Sequence, residues 1–468
     1  MHRVSTADVL QMPDLRQLVR SYVSNPLFSA PNEWLIHNNQ FRRPVRPQDV
    51  AIMDFATPLE RDEACSSSAL TAQRMLLNVY ETDLMFLPDE SLASNRNDFD
   101  LFYSDANKVI GEMIRPALEK HLFGFLDDVI DVSGKWTEEA MAALFDARFA
   151  AVKQEESALC RAILSAPRPG NAADCFLIQV AGDFLSEASA MARNVLGSFG
   201  PAQSSLFTVL IDEYGYGVHE TKHSTLFAET MRSRGLETSL HTYWQYYLAS
   251  SLALINYFHL VCKSHRNFFR YVGALYYTET TLAYATRDQS RMLREVFGEE
   301  VDTTYFDEHA HIDLHHGEMV MERIIRPILG QCGVEVIPDI IRGFEEFRLL
   351  QDIADQDLID QIAWSQDLGA YQTKAQEMLH EIDDPRARFP HATFTEVRDE
   401  LTVTHVHDDD ELFVVEEGAL EFVANYGESV TLQAGEAVVI PRHRLHGTQI
   451  RSDTCVYTAY AVTEAVKC

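Results

Sequence analysis

The chain has 468 residues, of which 46% are hydrophobic and 24% are charged, which is the composition of an ordinary folded protein. One hydrophobic core rarely supports this length, so we expect two or three domains. The formal net charge is −32, because 71 acidic residues outnumber 39 basic ones. This charge makes nucleic acids and anionic membranes poor partners and would attract a cationic small substrate, although acidity often serves solubility alone.

The cysteines indicate a reducing environment. None of them belongs to a C-x-x-C pair, and their odd number disfavours a disulfide framework or a structural zinc finger. We therefore expect a cytoplasmic protein, without a signal peptide at its N-terminus. Polar residues interrupt the uncharged run 246–262, which favours a buried helix over a membrane span. The seven cysteines are Cys65, Cys160, Cys175, Cys262, Cys332, Cys455 and Cys468.

Residues 1–130 are predicted to be helical. The segments 15–23, 71–87 and 107–125 carry apolar residues at helical spacing, and a break rich in proline and arginine spans residues 42–47. No metal-ligand pattern is present in this region. We interpret it as a packing or dimerisation domain.

The helical pattern continues with longer segments over residues 130–380, and the pattern then changes. Residues 381–400 contain Pro385 and Pro390 among charged residues, which suits a linker. From Leu401, short apolar runs alternate with polar residues and lie between glycines. This pattern is typical of strands and predicts a small β-barrel.

A group of histidines and an aspartate near residue 310 has metal-ligand spacing. His309 and Asp313 are four residues apart and Asp313 and His316 are three apart, so all three share one helix face. That face continues into apolar residues, and buried polar groups there need partners such as a metal. The pair His311 and His315 lies on a second face, which continues to glutamates and is predicted to be solvated.

Carboxylates on other helices could complete this ligand set. Glu213 and Glu279 each end an apolar stripe, Glu187 is flanked by small residues, and His223 follows Glu213 by ten residues. A buried charge is costly unless it is paired or coordinated. Each residue alone is more often a cap, a salt-bridge partner or a satisfied core residue. Together they indicate a di-iron or di-manganese carboxylate centre built from several helices.

A ferritin-like bundle with two Glu-x-x-His motifs is an alternative. The chain offers one such motif at Glu220 and His223 and another at Glu377 and His380. The second lies beside the linker, and this arrangement leaves the histidines and aspartate near residue 310 unexplained. We keep it as the lesser alternative.

The C-terminal region carries a second histidine pattern. His405 and His407 alternate as on a strand, so they share a face, and a later histidine could close a set of three neutral imidazoles suited to iron, copper, nickel or zinc. Glu411 could be a fourth ligand or an acid beside a ligand. His443 stands where a glycine is usual. The pattern resembles both cupin motifs, in the order His405, His407, Glu411, Gly418, then Gly435, Pro441, His446.

Longer stretches carry a more specific resemblance. EASAMARNVLG from Glu187, DEYGYGVH and TKHSTLF around His223, and HIDLHHG around Asp313 resemble the haem-oxygenase-like di-iron oxidases. Joined to a cupin, nearly the whole chain resembles the N-nitrosourea-forming metalloenzymes, and the stretch 268–279 adds to this likeness. The resemblance implies a multidomain α + β protein. Its parts would be an N-terminal helical dimerisation domain (1–130), a haem-oxygenase-like di-iron oxygenase domain (131–380) and a cupin β-barrel with a single iron (381–468).

The resemblance also implies a function in the biosynthesis of an antibiotic natural product similar to streptozotocin. The helical domain would use Fe(II) and O2 to hydroxylate the guanidine of Nω-methyl-L-arginine, and the cupin would rearrange the product oxidatively to an N-nitrosourea. A homodimer is implied. The implied helical-domain ligands are Glu187, Glu213, His223, Glu279, His309, Asp313 and His316, and the cupin ligands are His405, His407 and His446.

Several points stay open at this stage. Tyr457, in the last strand, could line the cupin pocket as a catalytic residue or be an ordinary strand tyrosine. A dinucleotide fingerprint is absent from the sequence, so electrons would come from an external donor. Two other functions are compatible with the sequence: a di-iron oxidase acting on another amine or amino acid, and a non-catalytic sensor of a metal or ligand.

Overall fold

The structure is a computed structural model that describes residues 14–29, 33–37, 39–88, 91–154, 156–382 and 384–462. The predictions about the first residues of the chain and Cys468 lie outside these ranges. The six described cysteines are all free, as expected. Within the described residues, no helix combines the length and apolar character needed to cross a membrane.

The N-terminal region is helical, as predicted. Polar caps begin its longer helices: the Ser66 hydroxyl accepts from the amide of Ala69, and the Ser104 hydroxyl accepts from the amide of Asn107. The helices are α1 (Leu15–Val23), α2 (Pro47–Ile52), α3 (Ser67–Glu81), α4 (Arg96–Phe102), α5 (Asp105–Phe123) and α6 (Phe125–Val129).

The central region is also helical. Its helices are α7 (Glu138–Gln154), α8 (Ala158–Ser165), α9 (Pro169–Phe184), α10 (Pro201–Glu213), α11 (His223–Ser233), α12 (Ala249–Lys263), α13 (Phe268–Phe297), α14 (Thr304–Met319), α15 (Arg326–Cys332) and α16 (Ile337–Ser365). A π-helical turn, Val320–Ile325, joins α14 to α15. The uncharged run 246–262 falls largely on α12, which is mostly buried, as predicted.

The long helices α13 and α16 cross at two glycines. A Cβ on Gly273 would lie 1.8 Å from the carbonyl oxygen of Ile340, and one on Gly343 would lie 1.9 Å from that of Arg270. Only glycine permits such close backbone contact. Because α14 also packs against α13, this crossing helps to position the helices that carry most of the candidate ligands.

The C-terminal region forms two antiparallel sheets, ordered β1-β7-β2-β5 and β4-β3-β6, which enclose an apolar core. Helix α17 (Leu368–Glu381) packs against β5, and the short α18 (Pro385–Arg388) precedes the first strand. The strands are β1 (His391–Val397), β2 (Asp410–Glu417), β3 (Ala419–Asn425), β4 (Glu428–Gln433), β5 (Ala437–Ile440), β6 (Gly447–Ile450) and β7 (Thr454–Val462).

Three local predictions are wrong. The supposed linker 381–400 contains β1, which pairs with β7 along its whole length. The segment holding His405 and His407 is extended but not a strand, because its ladder is reduced to an isolated bridge between His405 and His446. Glu187 does not lie in a helix: α9 ends at Phe184, and Ala188 adopts φ 62°, which a helix does not allow.

Candidate metal centres

The structure brings all seven predicted ligands of the helical region together. Two groups have ligand atoms within 4.8 Å of one another, and Glu213 belongs to both. Glu187 lies in the turn after α9, Glu213 is the last residue of α10, and His223 is the first of α11. The others lie within helices: Glu279 on α13, and His309, Asp313 and His316 on one buried face of α14.

The first group consists of two histidines and two glutamates. His223 Nδ1 lies 2.6 Å from Glu213 Oε2 and 3.1 Å from His309 Nε2. His309 Nε2 lies 3.4 Å from Glu187 Oε1. The Nδ1–H of His309 donates to the carbonyl of Tyr305 at 2.9 Å, which leaves Nε2 free to face the group.

The second group surrounds His316 Nδ1. This nitrogen lies 2.9 Å from Glu279 Oε2, 3.5 Å from Asp313 Oδ1 and 3.9 Å from Glu213 Oε1. Glu213 therefore presents one carboxylate oxygen to each group, as a carboxylate that bridges two metal ions does.

Asp212 is a residue that the sequence analysis missed. Its Oδ2 lies 3.0 Å from His316 Nε2, the nitrogen that points away from the second group. Metal-binding histidines commonly donate their other N–H to a carboxylate, which fixes the ring. The sequence offers one indication of this role, which is that Asp212 directly precedes Glu213. Because Asp212 does not continue the apolar stripe that leads to Glu213, its position alone does not distinguish it from a surface residue.

The buried charges of this cluster strongly perturb its titration. Burial raises the pKa of Glu279 to about 7. Burial alone would lower the pKa of His316, but the neighbouring carboxylates of Asp313 and Glu279 outweigh burial and raise the pKa to about 11. Burial also raises the pKa of Glu213, yet His223 and His309 reverse this effect and hold it well below its usual range.

The residues present fit a pair of metal ions. Four carboxylates converge in a buried space, and Glu187 Oε2 and both oxygens of Asp313 are buried without a hydrogen-bond partner among the described residues. Buried carboxylate oxygens are costly unless they are paired or coordinated. Oxygen and imidazole ligands from several helices are typical of di-iron and di-manganese centres.

The ferritin-like alternative finds no support in the geometry. Glu220, Glu377 and His380 are all exposed, and the latter two lie on α17, which packs against the β-barrel. His223 instead belongs to the group described above.

The C-terminal group is formed by His405, His407 and His446, whose ligand nitrogens lie within 4.8 Å of one another. His405 Nδ1 faces the carbonyl of Val403 at 3.1 Å, and His446 Nδ1 faces that of Arg444 at 3.0 Å. Both rings thereby leave Nε2 free for a metal.

Burial keeps these imidazoles neutral. It lowers the pKa of His405 and His446 well below the usual value and lowers that of His407 to about 4. Metals bind neutral imidazole, so the group fits a single ion. Glu411 Oε2 lies 3.0 Å from His407 Nε2, and burial raises its pKa to about 8.

The sequence analysis singled out two further residues of the cupin region, Tyr457 and His443. Tyr457 lies in the interior of the barrel, where its ring stacks on Phe413 and its hydroxyl donates to Glu396 Oε1 at 2.9 Å. His443 adopts φ 63°, a left-handed conformation that favours glycine, and its amide donates to the carbonyl of His407 at 2.8 Å. The backbone next to the ligands is therefore held in a conformation that glycine adopts without strain.

Comparison with protein families defines the class of protein. Residues 175–352 match the model described as an iron-containing redox enzyme of the haem-oxygenase-like type, and residues 396–461 match the cupin domain. The first stretch contains the seven candidate ligands of the helical region, and the second contains the three cupin histidines. The chain is thus an iron-dependent oxidoreductase that joins a helical haem-oxygenase-like domain to a C-terminal cupin.

A relative from Streptomyces achromogenes subsp. streptozoticus, described as a nitrosourea synthase, is 49% identical over 463 residues, covering 97% of each chain. The chain belongs to the nitrosourea synthase family. It is therefore an N-nitrosourea-forming enzyme that acts on a small molecule in natural-product biosynthesis, and the sensor alternative is ruled out.

Proposed function

We propose that the two candidate metal centres perform successive oxidations of Nω-methyl-L-arginine. The helical centre hydroxylates two guanidine nitrogens, and the cupin centre rearranges the product oxidatively to an N-nitrosourea. The observation that carries this proposal is the presence of two separate ligand groups of different chemistry in one chain of this family. Domain limits at about residues 130 and 380, a homodimer and a cytoplasmic location are part of the proposal.

In the helical domain, we assign two irons to Glu187, Glu213, His223, Glu279, His309, Asp313 and His316. Fe(II), when bound there, supplies the electrons that activate O2. Each hydroxylation places one oxygen atom of O2 on nitrogen, and the other leaves as water with two electrons and two protons from an external reductant. Because burial raises the pKa of Glu279 to about 7, iron binding would displace a proton from this ligand.

In the cupin, we assign one iron to His405, His407 and His446. Three neutral imidazoles leave positions on the metal for substrate or O2. Glu411, whose raised pKa keeps it largely protonated at neutral pH, can donate a proton at the His407 side of the site. Tyr457 of the neighbouring strand β7 is the proposed catalytic residue, and its hydroxyl donates to Glu396.

The test is to incubate iron-loaded protein with Nω-methyl-L-arginine, O2 and a reductant, and to follow products by mass spectrometry. We expect species heavier by one and two oxygen atoms, followed by a nitroso product. His407→Ala should accumulate the hydroxylated species, and Glu213→Ala should form neither. The exposed His311, on the opposite face of α14, provides a matched control as His311→Ala. Nitroso product from His407→Ala would refute the division of labour.

A further inference from the structure

Two buried glutamines of the central helical region bind the cupin backbone beside its candidate metal ligands. Gln245 lies in the turn before α12, and Gln361 lies on α16. Both are almost fully buried, and each binds the residue directly before a cupin histidine. Neither glutamine belongs to the stretch that matches the cupin family, so these contacts reach the metal-binding segments from outside the cupin.

Gln361 uses both ends of its side-chain amide. Its Oε1 accepts from the amide of Leu445 at 2.9 Å, and its Nε2 donates to the carbonyl of the same residue at 2.9 Å. The Nε2 also donates to the carbonyl of Ala424 on β3 at 2.6 Å. The glutamine thus satisfies both backbone groups of the residue that precedes His446, as a neighbouring strand would.

Gln245 binds the other ligand segment through oxygen alone. Its Oε1 accepts from the amide of Thr404 at 3.1 Å, and its backbone carbonyl accepts from the hydroxyl of that threonine. Its Nε2 is buried without a hydrogen-bond partner among the described residues. Arg74 of α3 donates to the carbonyl of Thr404 at 2.7 Å. Both backbone groups of the residue before His405 are therefore bound by side chains from the helical regions.

The two bound residues lead directly into the pair of histidines. The amide of His405 donates to the carbonyl of His446 at 2.9 Å, and the amide of His446 donates to the carbonyl of His405 at 3.0 Å. Neither histidine lies in a strand, and the bridge between them is isolated. Their placement therefore depends on the residues beside them. Metal affinity depends on such support, because a ligand set binds well only when its geometry is already held.

We propose that Gln245 and Gln361 are positioning residues of the cupin metal centre. They fix the backbone that carries His405 and His446, so the helical region sets the geometry of a metal site in another domain. This inference rests on the proposed function, which assigns the cupin iron to three histidines.

The first measurement is hydrogen–deuterium exchange of the full, metal-free chain. Gln361→Met keeps the length of the side chain but removes its hydrogen bonds, so the amides of Leu445 and His446 should exchange about tenfold faster or more. Gln366, directly after α16, is a matched control, because it makes the same two bonds to the amide and carbonyl of Arg168, at 2.9 and 3.1 Å. Gln366→Met should leave exchange at the two cupin amides unchanged.

The second measurement is iron affinity, determined by competition with a chelator. Gln361→Met and Gln245→Met should each lower the iron affinity of the cupin by about tenfold or more, because its ligands are held less firmly. The central irons serve as an internal reference, and their retention shows that a variant is folded. Gln366→Met should bind iron as the wild-type protein does.

Substitution by glutamate separates positioning from general packing. Gln245→Glu keeps the oxygen that accepts from Thr404, and Arg74 on the same threonine offsets the added charge. This variant should recover most of the iron affinity lost in Gln245→Met. Gln361→Glu loses the donor to two backbone carbonyls, so its cupin should bind iron as weakly as that of Gln361→Met.

The outcomes separate this inference from the proposed function. If the wild-type protein forms no nitroso product, the proposed function fails, and exchange and cupin iron affinity still decide the role of the two glutamines. If Gln361→Met and Gln245→Met keep wild-type exchange and cupin iron affinity, the inference is overturned even where nitroso product forms. An equal loss in Gln366→Met would also overturn it, because the effect would then be one of general stability.

Discussion

The central and cupin ligand groups differ in charge. In the central group, carboxylates surround the histidines, and their charge raises the pKa of His309 and His316 although burial alone would lower it. In the cupin group, burial lowers the pKa of His405 and His446, and no described residue reverses it. Metal binding at the central group must therefore displace protons, whereas the cupin nitrogens are already neutral.

The largest expected effect is that of removing Glu213, the residue common to both central groups. Glu213→Ala should lower iron affinity at both central positions by more than about 100-fold, because each loses a direct ligand. Metal analysis should find about one iron per chain, in the cupin. The variant should form no hydroxylated product. Glu229→Ala, which removes an exposed glutamate of α11, is the control. Retention of both central irons would contradict the assignment of Glu213 as a bridge.

The converse substitution acts on the cupin alone. His407→Ala removes one of three imidazoles and should lower cupin iron affinity by about 100-fold, while the central irons and hydroxylation stay unchanged. Iron titration followed by product analysis measures both effects in one sample. His391→Ala, on the exposed strand β1, should leave them unaltered. A parallel loss of hydroxylation would show that the two centres are not independent.

The difference in charge also predicts a difference in pH dependence. Glu279 and His316 both have raised pKa values, so this pair retains a proton at neutral pH that iron must displace. Iron affinity of the central group should therefore rise about tenfold per pH unit from pH 6 to 8. The cupin histidines are neutral throughout this range, so their affinity should stay nearly constant. Competition titrations with a chelator at several pH values test this, and equal slopes at the two centres would refute it.

Asp212 allows a finer test within the central group. Asp212→Ala removes the carboxylate from His316 Nε2 and should weaken the second central position by about 10- to 100-fold, leaving the first and the cupin intact. Asp212→Asn keeps an oxygen acceptor, so it should lower the iron affinity of the second position less than Asp212→Ala does. Iron titration followed spectroscopically distinguishes the positions. An unchanged second position in Asp212→Ala would mean that packing alone orients His316.

The two regions also differ in how much the sequence could predict. The face shared by His309, Asp313 and His316 follows from helical spacing alone, and the cupin fold follows from the spacing of histidines and glycines. The double contact of Glu213 could not be predicted, because it depends on the turn after α10, where Tyr216 adopts φ 53° and returns the chain to His223. Positive φ at a non-glycine residue leaves no periodic signal.

Contacts between segments far apart in the chain are the other feature that the sequence could not predict. Arg74 and Thr404 are 330 residues apart in the chain, yet Arg74 of α3 donates to the carbonyl oxygen and to the hydroxyl of Thr404, directly before His405. The sequence analysis found no ligand pattern in the N-terminal region and assigned it to dimerisation, which stays a prediction. A contact between segments so far apart in the chain leaves no motif in either segment.

The smallest expected effect is that of replacing His443, whose backbone lies beside the cupin ligands. With φ 63°, this histidine bears the strain that a glycine would avoid. His443→Gly should change stability little, since relief of strain is offset by the greater freedom of glycine in the unfolded chain. His443→Ala should be about 1 kcal/mol less stable than the glycine variant, because alanine keeps the strain. Chemical unfolding of both variants measures this difference. Equal stability of the two would mean that the backbone relaxes out of the left-handed conformation, and the bond from His443 to the carbonyl of His407 would then be lost.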